Sequence, residues 1–376
     1  MERKGHKMKK IFALILSISM LALAGCDKTG NSSSTGEAVL TTPATTTAST
    51  ESVAEATTTE ATEPQLSDIR NPLTGAYGYN EAAVGKRPLA VMINNIKQAL
   101  PQYGIEQADM LYEVVVEGGI TRMMAVYADY SNLDDICSVR SCRYYYPILA
   151  YGMDAIYCHW GSDQTIALET LSRLGIDHID GGGNGNGTLF FKDKERLKTY
   201  STEHTGYLKG SAVADTLSKL NIRTDADASH KGMIFTFTGK GETAVPVGSA
   251  CSNANLTFSQ SYFSTFTYDT ATQTYLKQHS GSPHVDQRTG NQLAFTNVFA
   301  LQTSVNLLGT GKLMQVELNG GSGYYISKGV AQPIKWSKPS EASPIKITDT
   351  SGKEIIVNEG KSYIGILGTG NTVSLS

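Results

Sequence analysis

The chain has 376 residues, with 35 acidic and 32 basic side chains and a formal net charge of -3. That balance offers no concentrated basic face, so composition argues against a nucleic-acid partner. The length leaves room for two modest domains once the N-terminal region is set aside.

The N-terminus opens with a basic stretch (Arg3, Lys4, Lys7, Lys9, Lys10) and an apolar run from Ile11 to Leu23. The run is shorter than the ~20 residues that span a bilayer, but it suits the core of a secretory signal. It ends in Leu23-Ala24-Gly25-Cys26, where small residues let the chain lie extended in a peptidase groove. Residues 1–25 are therefore expected to be a lipoprotein signal peptide and Cys26 the lipidated residue, carrying palmitate-type chains. Stable anchoring takes more than one such chain. The alternative is a plain signal cut after Ala24. Both place the rest of the protein outside the cytoplasm, and the first holds it on the extracytoplasmic face of the cell membrane.

Residues 26–70 follow as a tether rich in Thr, Ser, Ala and Glu, with too few large apolar groups to offset chain entropy. About forty flexible residues reach roughly 35 Å. Folded sequence begins near Asn71-Pro72-Leu73-Thr74-Gly75, and residues 71–226 read as a mixed α/β domain. Leu89–Ile93 is a strand candidate. Met110–Val116 and Thr121–Tyr127 read as a hairpin around Gly118-Gly119. A two-residue turn there would pair Glu117 with Ile120 and set Glu113, Glu117 and Arg122 on one face. That face is either a solvated ion-pair surface or the polar wall of a ligand site.

Two strand-to-helix junctions come next. Ile136–Val139 leads through Arg140-Ser141-Cys142-Arg143 into a helix over Tyr144–Met153. Ala155–Cys158 leads through His159-Trp160-Gly161-Ser162-Asp163 into a helix over Gln164–Leu174, stopped by Gly175. With both strands parallel in one sheet, Arg140, Arg143, His159 and Ser162 would converge beside two helix N-termini, a setting for an anion. The bland alternative has Ser162 capping its helix and the arginines pairing with Glu113 or Glu117. The glycine-rich loop from Asp180 to Gly187 precedes Thr188-Leu189-Phe190-Phe191 rather than a helix, so it is read as a flexible loop and not a dinucleotide site. His204 could reach a nearby site, although a lone histidine is more often incidental.

From residue 227 to 376 the texture changes to short alternating strands, a β-rich C-terminal domain. Candidates are Met233–Thr238, Thr265–Tyr268, Tyr275–Gln278, Leu293–Phe299, Leu313–Leu318, Gly323–Ser327, Pro344–Thr348, Glu354–Val357 and Ser362–Leu367. His279, His284 and Asp286 lack a fixed ligand spacing, so no metal is expected. Cys137, Cys142, Cys158 and Cys251 are an even set outside the membrane; buried thiols and a disulfide both stay open. No Gly-x-Ser-x-Gly elbow, Walker loop or His-Glu-x-x-His is present, and no cofactor is expected.

Arg87-Pro88-Leu89-Ala90-Val91-Met92-Ile93-Asn94-Asn95, Gln107-Ala108-Asp109-Met110-Leu111-Tyr112-Glu113 and Val116-Glu117-Gly118-Gly119-Ile120-Thr121-Arg122 form one set of motifs. Val139-Arg140-Ser141-Cys142-Arg143, His159-Trp160-Gly161-Ser162, His284-Val285-Asp286, Thr289-Gly290 and Asn297-Val298 extend it. Together they resemble the YerB-like lipoproteins from about residue 71 to the end. The resemblance implies a two-part domain of unknown function at the cell surface, mainly of Gram-positive bacteria. It further implies a layered β/α sandwich in the first part and a strand-rich second part. The family pattern has small residues near Cys137 and Cys142, which fits buried thiols. Lys192 stands where the family carries arginine. No catalytic residue carries over.

The expected function is a binding or accessory protein of the cell envelope, acting on a wall polymer or a partner protein through Arg122, Arg140, Arg143, His159 and Ser162. The alternative is an envelope-polymer hydrolase or transferase, with Glu113 or Glu117 as acid/base and His159 assisting; two carboxylates do such chemistry across a cleft.

Overall fold

Leu89-Ala90-Val91-Met92-Ile93-Asn94 is apolar on both faces of the strand, and it forms β1 (Leu89–Asn94), buried along its whole length. Such a run suits the middle of a sheet covered on both sides. The structure, a computed structural model, describes residues 67–376 apart from Thr310. The signal, Cys26 and most of the tether lie outside the described residues. β2 (Met110–Val115) and β3 (Thr121–Tyr127) form a hairpin beside β1. β4 (Ile156–His159) and β5 (His178–Asp180) extend the sheet in parallel on its other side.

The second half of the sequence completes the same sheet. β6 (Ser249–Ala250), β7 (Asn297–Thr303), β8 (Gly320–Ser327), β9 (Val330–Ser337), β10 (Lys346–Asp349) and β11 (Ser362–Gly368) give eleven strands in the order β10-β9-β8-β7-β11-β2-β3-β1-β4-β5, with β6 on β9. β11 lies between β2 and β7, parallel to both. The change of texture at residue 227 is thus no break in the sheet, and the described residues fall within one compact unit.

Alternate residues of β1 feed two cores. Ala90 and Met92 join Tyr112, Met124 and Tyr157 under the helices α1 (Tyr145–Tyr151) and α2 (Ile166–Leu174). Leu89, Val91 and Ile93 join Met123, Phe266 and Tyr363 on the opposite face. There α3 (Val213–Lys219) contributes Val213 and Leu217, and a six-stranded sheet, which includes Asn253–Thr257, Phe263–Asp269 and Thr274–His279, contributes Leu256, Phe266 and Tyr275. The molecule is mixed α/β and strand-rich.

Most expected elements are present, with differences in both halves of the chain. Met233–Thr238 and Glu354–Val357 are not strands; they meet through a Phe237–Val357 bridge and a Thr236–Glu354 side-chain hydrogen bond, and Glu354 bridges Thr348. Strands that were not expected include β5, β9 and Asn253–Thr257. Pro333 obscures β9, yet it is tolerated because β6 pairs at Val330–Ala331 and β10 only from Ile334, so Pro333 falls in the gap.

Candidate anion-binding edge

The β2–β3 register decides which face each charged residue occupies. Three residues, Glu117-Gly118-Gly119, form the turn, closed by Val116 N–H donating to Ile120 O at 2.8 Å. Gly118 and Gly119 both have positive φ, 69° and 71°. The extra turn residue shifts the register by one from the expected pairing, so Val114 faces Arg122 and Glu113 faces Met123. A slip of one moves a side chain to the other face. Arg122 therefore lies on the α1 side of the sheet and Glu113 on the opposite side, correcting the shared face expected for Glu113, Glu117 and Arg122.

The carboxyl ends of the parallel strands β1, β4 and β5 bring Asn94, His159 and Asp180 to one edge, beside Arg122 at the start of β3. Ile136–Cys137 does not join this sheet; it pairs with Gly206–Leu208, which pairs with Phe190–Lys192. The two junctions meet all the same. Arg140 N–H donates to Met92 O at 3.1 Å, Trp160 N–H to Arg140 O at 3.0 Å, and Cys142 N–H to Gly161 O at 2.9 Å. The start of α2 supplies little positive charge to this edge, because Asp163 Oδ1 already accepts from Thr165 and Ala167 N–H at 3.3 and 3.2 Å. Neither Ser141 nor Ser162 caps a helix.

Three of the five expected ligand contacts are arginines, and they differ in partnership. Arg143 grips Glu117 with Nε at 2.5 Å and Nη2 at 2.9 Å. Arg140 reaches Glu203 at 3.0 Å. Arg122 is 5% exposed and, among the described residues, donates once, from Nη1 to Ser141 O at 2.7 Å, and has no carboxylate in ion-pair contact. Among the described residues the other two buried arginines are richly partnered: Arg87 donates to Asp154 O, Asp177, Arg223 O and Ala155 O. Arg196 donates to His204 O, Pro101 O, Gln287 and Ala99 O. Burial and the charges of Arg143 and Arg140 push the Arg122 guanidinium down to about 10. Among the described residues the hydroxyls of Ser141 and Ser162 have no partner either.

His159 is not poised for a ligand. It is buried, Nδ1–H donates to Gly161 O at 2.8 Å, and Nε2 accepts from His178 Nδ1 at 3.0 Å. Burial holds it below its ordinary value, so it is neutral with both nitrogens committed. His204 accepts from Asn94 Nδ2 at 3.0 Å.

The opposite face of the same sheet end holds a second polar cluster. Glu113 Oε1 accepts from Asn95 Nδ2 at 3.0 Å and Thr121 Oγ1 at 2.8 Å; Oε2 accepts from Ser264 Oγ at 2.9 Å and Tyr363 OH at 2.8 Å. Lys277, wholly buried, lies 3.4 Å from Oε2 and donates to Ser264 Oγ at 2.9 Å and His284 Nδ1 at 3.1 Å. His284 Nε2–H donates to Gln102 Oε1 at 2.8 Å, and His279 Nε2–H to Asn95 O at 2.9 Å. Burial raises the Glu113 carboxyl, but Lys277 and the hydrogen bonds outweigh it, and it titrates below the ordinary value. Sequence reasoning found Glu113 but not Lys277, Ser264 or Tyr363, which come from far along the chain.

Residues 73–223 match the profile described as "Protein of unknown function (DUF3048) N-terminal domain", and residues 254–364 match its C-terminal counterpart. The chain belongs to the DUF3048 family. A relative described as "Putative lipoprotein YerB", from Bacillus subtilis (strain 168), is 24% identical over 321 residues, covering 82% of this chain and 89% of its own. The crystal structure of the Bacillus subtilis YerB protein has the same fold, with a TM-score of 0.70 at 22% identity over 81% of this chain and 99% of that one.

In this DUF3048 chain Cys137, Cys142, Cys158 and Cys251 are free and buried, which decides between the two readings left open. Burial pushes the thiols of Cys137 and Cys142 up to about 12, away from nucleophilic use. Asp286 Oδ2 accepts from Ile105 and Glu106 N–H at 2.8 and 3.0 Å, so with His279 and His284 it braces the fold. Among the described residues, Asp154, Asp227 and His230 bring ligand atoms within 4.8 Å of one another. Arg223 grips both oxygens of Asp154, at 2.9 and 2.6 Å, and both nitrogens of His230 are hydrogen-bonded. Among the described residues no helix is long and apolar enough to cross a membrane.

Proposed function

We propose that this protein is a lipid-anchored, extracytoplasmic envelope protein that binds an anionic group of a wall polymer at Arg122, with Arg140, Arg143, Ser141 and Ser162 around it. The observation that carries the reading is Arg122 itself. Buried charges in proteins are paired or hydrogen-bonded, and this guanidinium spends one donor where Arg87 and Arg196 each make four hydrogen bonds. An anion supplies the missing partner. The anchor rests on Leu23-Ala24-Gly25-Cys26 and on a relative described as a lipoprotein.

Binding is favoured over hydrolysis by the state of the two glutamates. Glu113 is 2% exposed and accepts four hydrogen bonds, while Glu117 is held in the fork of Arg143 on a turn whose neighbour Arg122 lies on the other face from Glu113. Neither is free to protonate a leaving group. Sedimentation of the purified full chain with isolated cell-wall material tests the reading. Arg122→Met is expected to weaken retention at least tenfold, as removal of a charge-assisted contact does. Equal retention of wild type and variant rejects it.

A further inference from the structure

We propose that the anion seated at Arg122 is a pendant or chain-terminal carboxylate, held two-pronged on the Nε and Nη2 edge of the guanidinium. The proposal rests on the anion-binding reading above and names its ligand class. Nη1 is tied to Ser141 O, which fixes the plane of the group and leaves the Nε–Nη2 edge without a protein acceptor. Among the described residues the unpartnered side-chain atoms shut off from solvent are Ser138 Oγ, Tyr157 OH, His279 Nδ1 and Ser362 Oγ, so the Nε–Nη2 edge, which is not among them, keeps some contact with solvent although the side chain lies under the surface.

The neighbouring arginine shows the geometry. Arg143 uses the same two nitrogens, Nε and Nη2, to take both oxygens of Glu117 at 2.5 and 2.9 Å. Planar forks of this kind match carboxylates, whose two oxygens lie in one plane. Around Arg122 the charges of Arg143 and Arg140 are both repulsive, and they are opposed chiefly by Glu117, with Tyr145 acting in the same sense. A further carboxylate would give each of the three arginines its own acid: Glu117 on Arg143, Glu203 on Arg140, the ligand on Arg122.

Access decides between a terminal group and an in-line one. At 5% exposure Arg122 lies under the surface, whereas the side chain of Arg140 is 27% exposed. A phosphodiester within a polymer carries chain on both sides of its phosphorus and must lie along the surface, where it meets Arg140. A carboxylate at a chain end has one substituent behind it and reaches inward. Ser141 and Ser162 lie on neighbouring segments through the Cys142–Ser162 bridge, and their hydroxyls have no protein partner among the described residues.

Titration of the purified full chain with N-acetylalanine, N-acetylalanine amide, inorganic phosphate and poly(glycerol phosphate), followed by the arginine Nε–H resonances, tests this. The expected result is a downfield shift of one Nε–H signal with N-acetylalanine, lost in Arg122→Met, with at least tenfold weaker binding of the amide and of the phosphodiester polymer. Arg122→Lys, which keeps the charge and removes the fork, should also bind the acid at least tenfold more weakly. Arg122-dependent binding in which phosphate or the polymer outcompetes the carboxylate, or in which Arg122→Lys matches wild type, overturns the carboxylate proposal and leaves the anion site standing. Absence of any Arg122-dependent anion binding removes both.

Discussion

Glu113 and Lys277 form a fully buried ion pair, and such a pair is far easier to keep whole than to halve. Removing one partner strands the other charge, at about 3–5 kcal/mol, whereas apolar replacement of both is often neutral. Glu113→Gln is therefore expected to lower unfolding stability by about 3–5 kcal/mol in urea titration, and Glu113→Gln combined with Lys277→Met to recover most of it. Equal losses in the single and double variants would show that the pair is not the relevant unit. The same cluster sets the pH response. Burial depresses His279 and His284 below 6.5, so the unfolded chain takes up protons first as pH falls through that value. Glu113 is depressed below 4.5, with the same sign at lower pH. Stability should rise with pH where the unfolded state binds more protons, so the urea midpoint is expected to fall between pH 7 and 5 and again below 4.5; a flat profile down to pH 5 contradicts this assignment. Lys277 was illegible in the sequence for a definite reason. In Thr274–His279 the buried residues are Tyr275, Lys277 and His279, while Leu276 is only half-buried. Hydrophobic alternation favours the wrong phase when a lysine faces a buried glutamate 164 positions away.

The hairpin turn shows how one backbone choice redistributes function. Gly118-Gly119 was legible as a turn, but glycines at two positive-φ positions fit a two-residue and a three-residue connection alike. Only the latter separates Glu113 from Arg122 and so yields two clusters instead of one. At Gly118 an added Cβ meets nothing within 4 Å, so a substitution there isolates the conformational cost. Gly118→Ala is expected to cost about 1–2 kcal/mol, since the left-handed region disfavours Cβ by that amount, measured by urea unfolding. No change would mean that the turn relaxes to another register. The junctions at Arg140–Arg143 and His159–Asp163 were legible as a converging pair, although the reason given for it, a shared sheet, is replaced by direct bridges between the two loops.

Both matched domains contribute to one eleven-stranded sheet, and β11, near the end of the chain, supplies its middle by pairing with β2 and β7. Sequence texture distinguished a mixed half from a strand-rich half. It could not reveal that long-range closure, because parallel pairing across some 250 residues leaves no local pattern. Truncation before Ser362 is therefore expected to abolish cooperative unfolding of the whole folded region, followed by near-UV circular dichroism; a truncated chain that keeps a sharp transition would mean the halves fold separately.

On the proposed reading Arg122 serves a ligand and not the fold. The most direct measurement is the melting temperature of wild type and Arg122→Met, each with and without N-acetylalanine. Replacing a buried, under-partnered charge with an apolar side chain of similar length should leave the ligand-free protein as stable as wild type or more so. Ligand should raise the wild-type melting temperature and leave that of the variant unmoved. A variant that melts several degrees lower without ligand would instead make Arg122 a structural arginine held for Ser141.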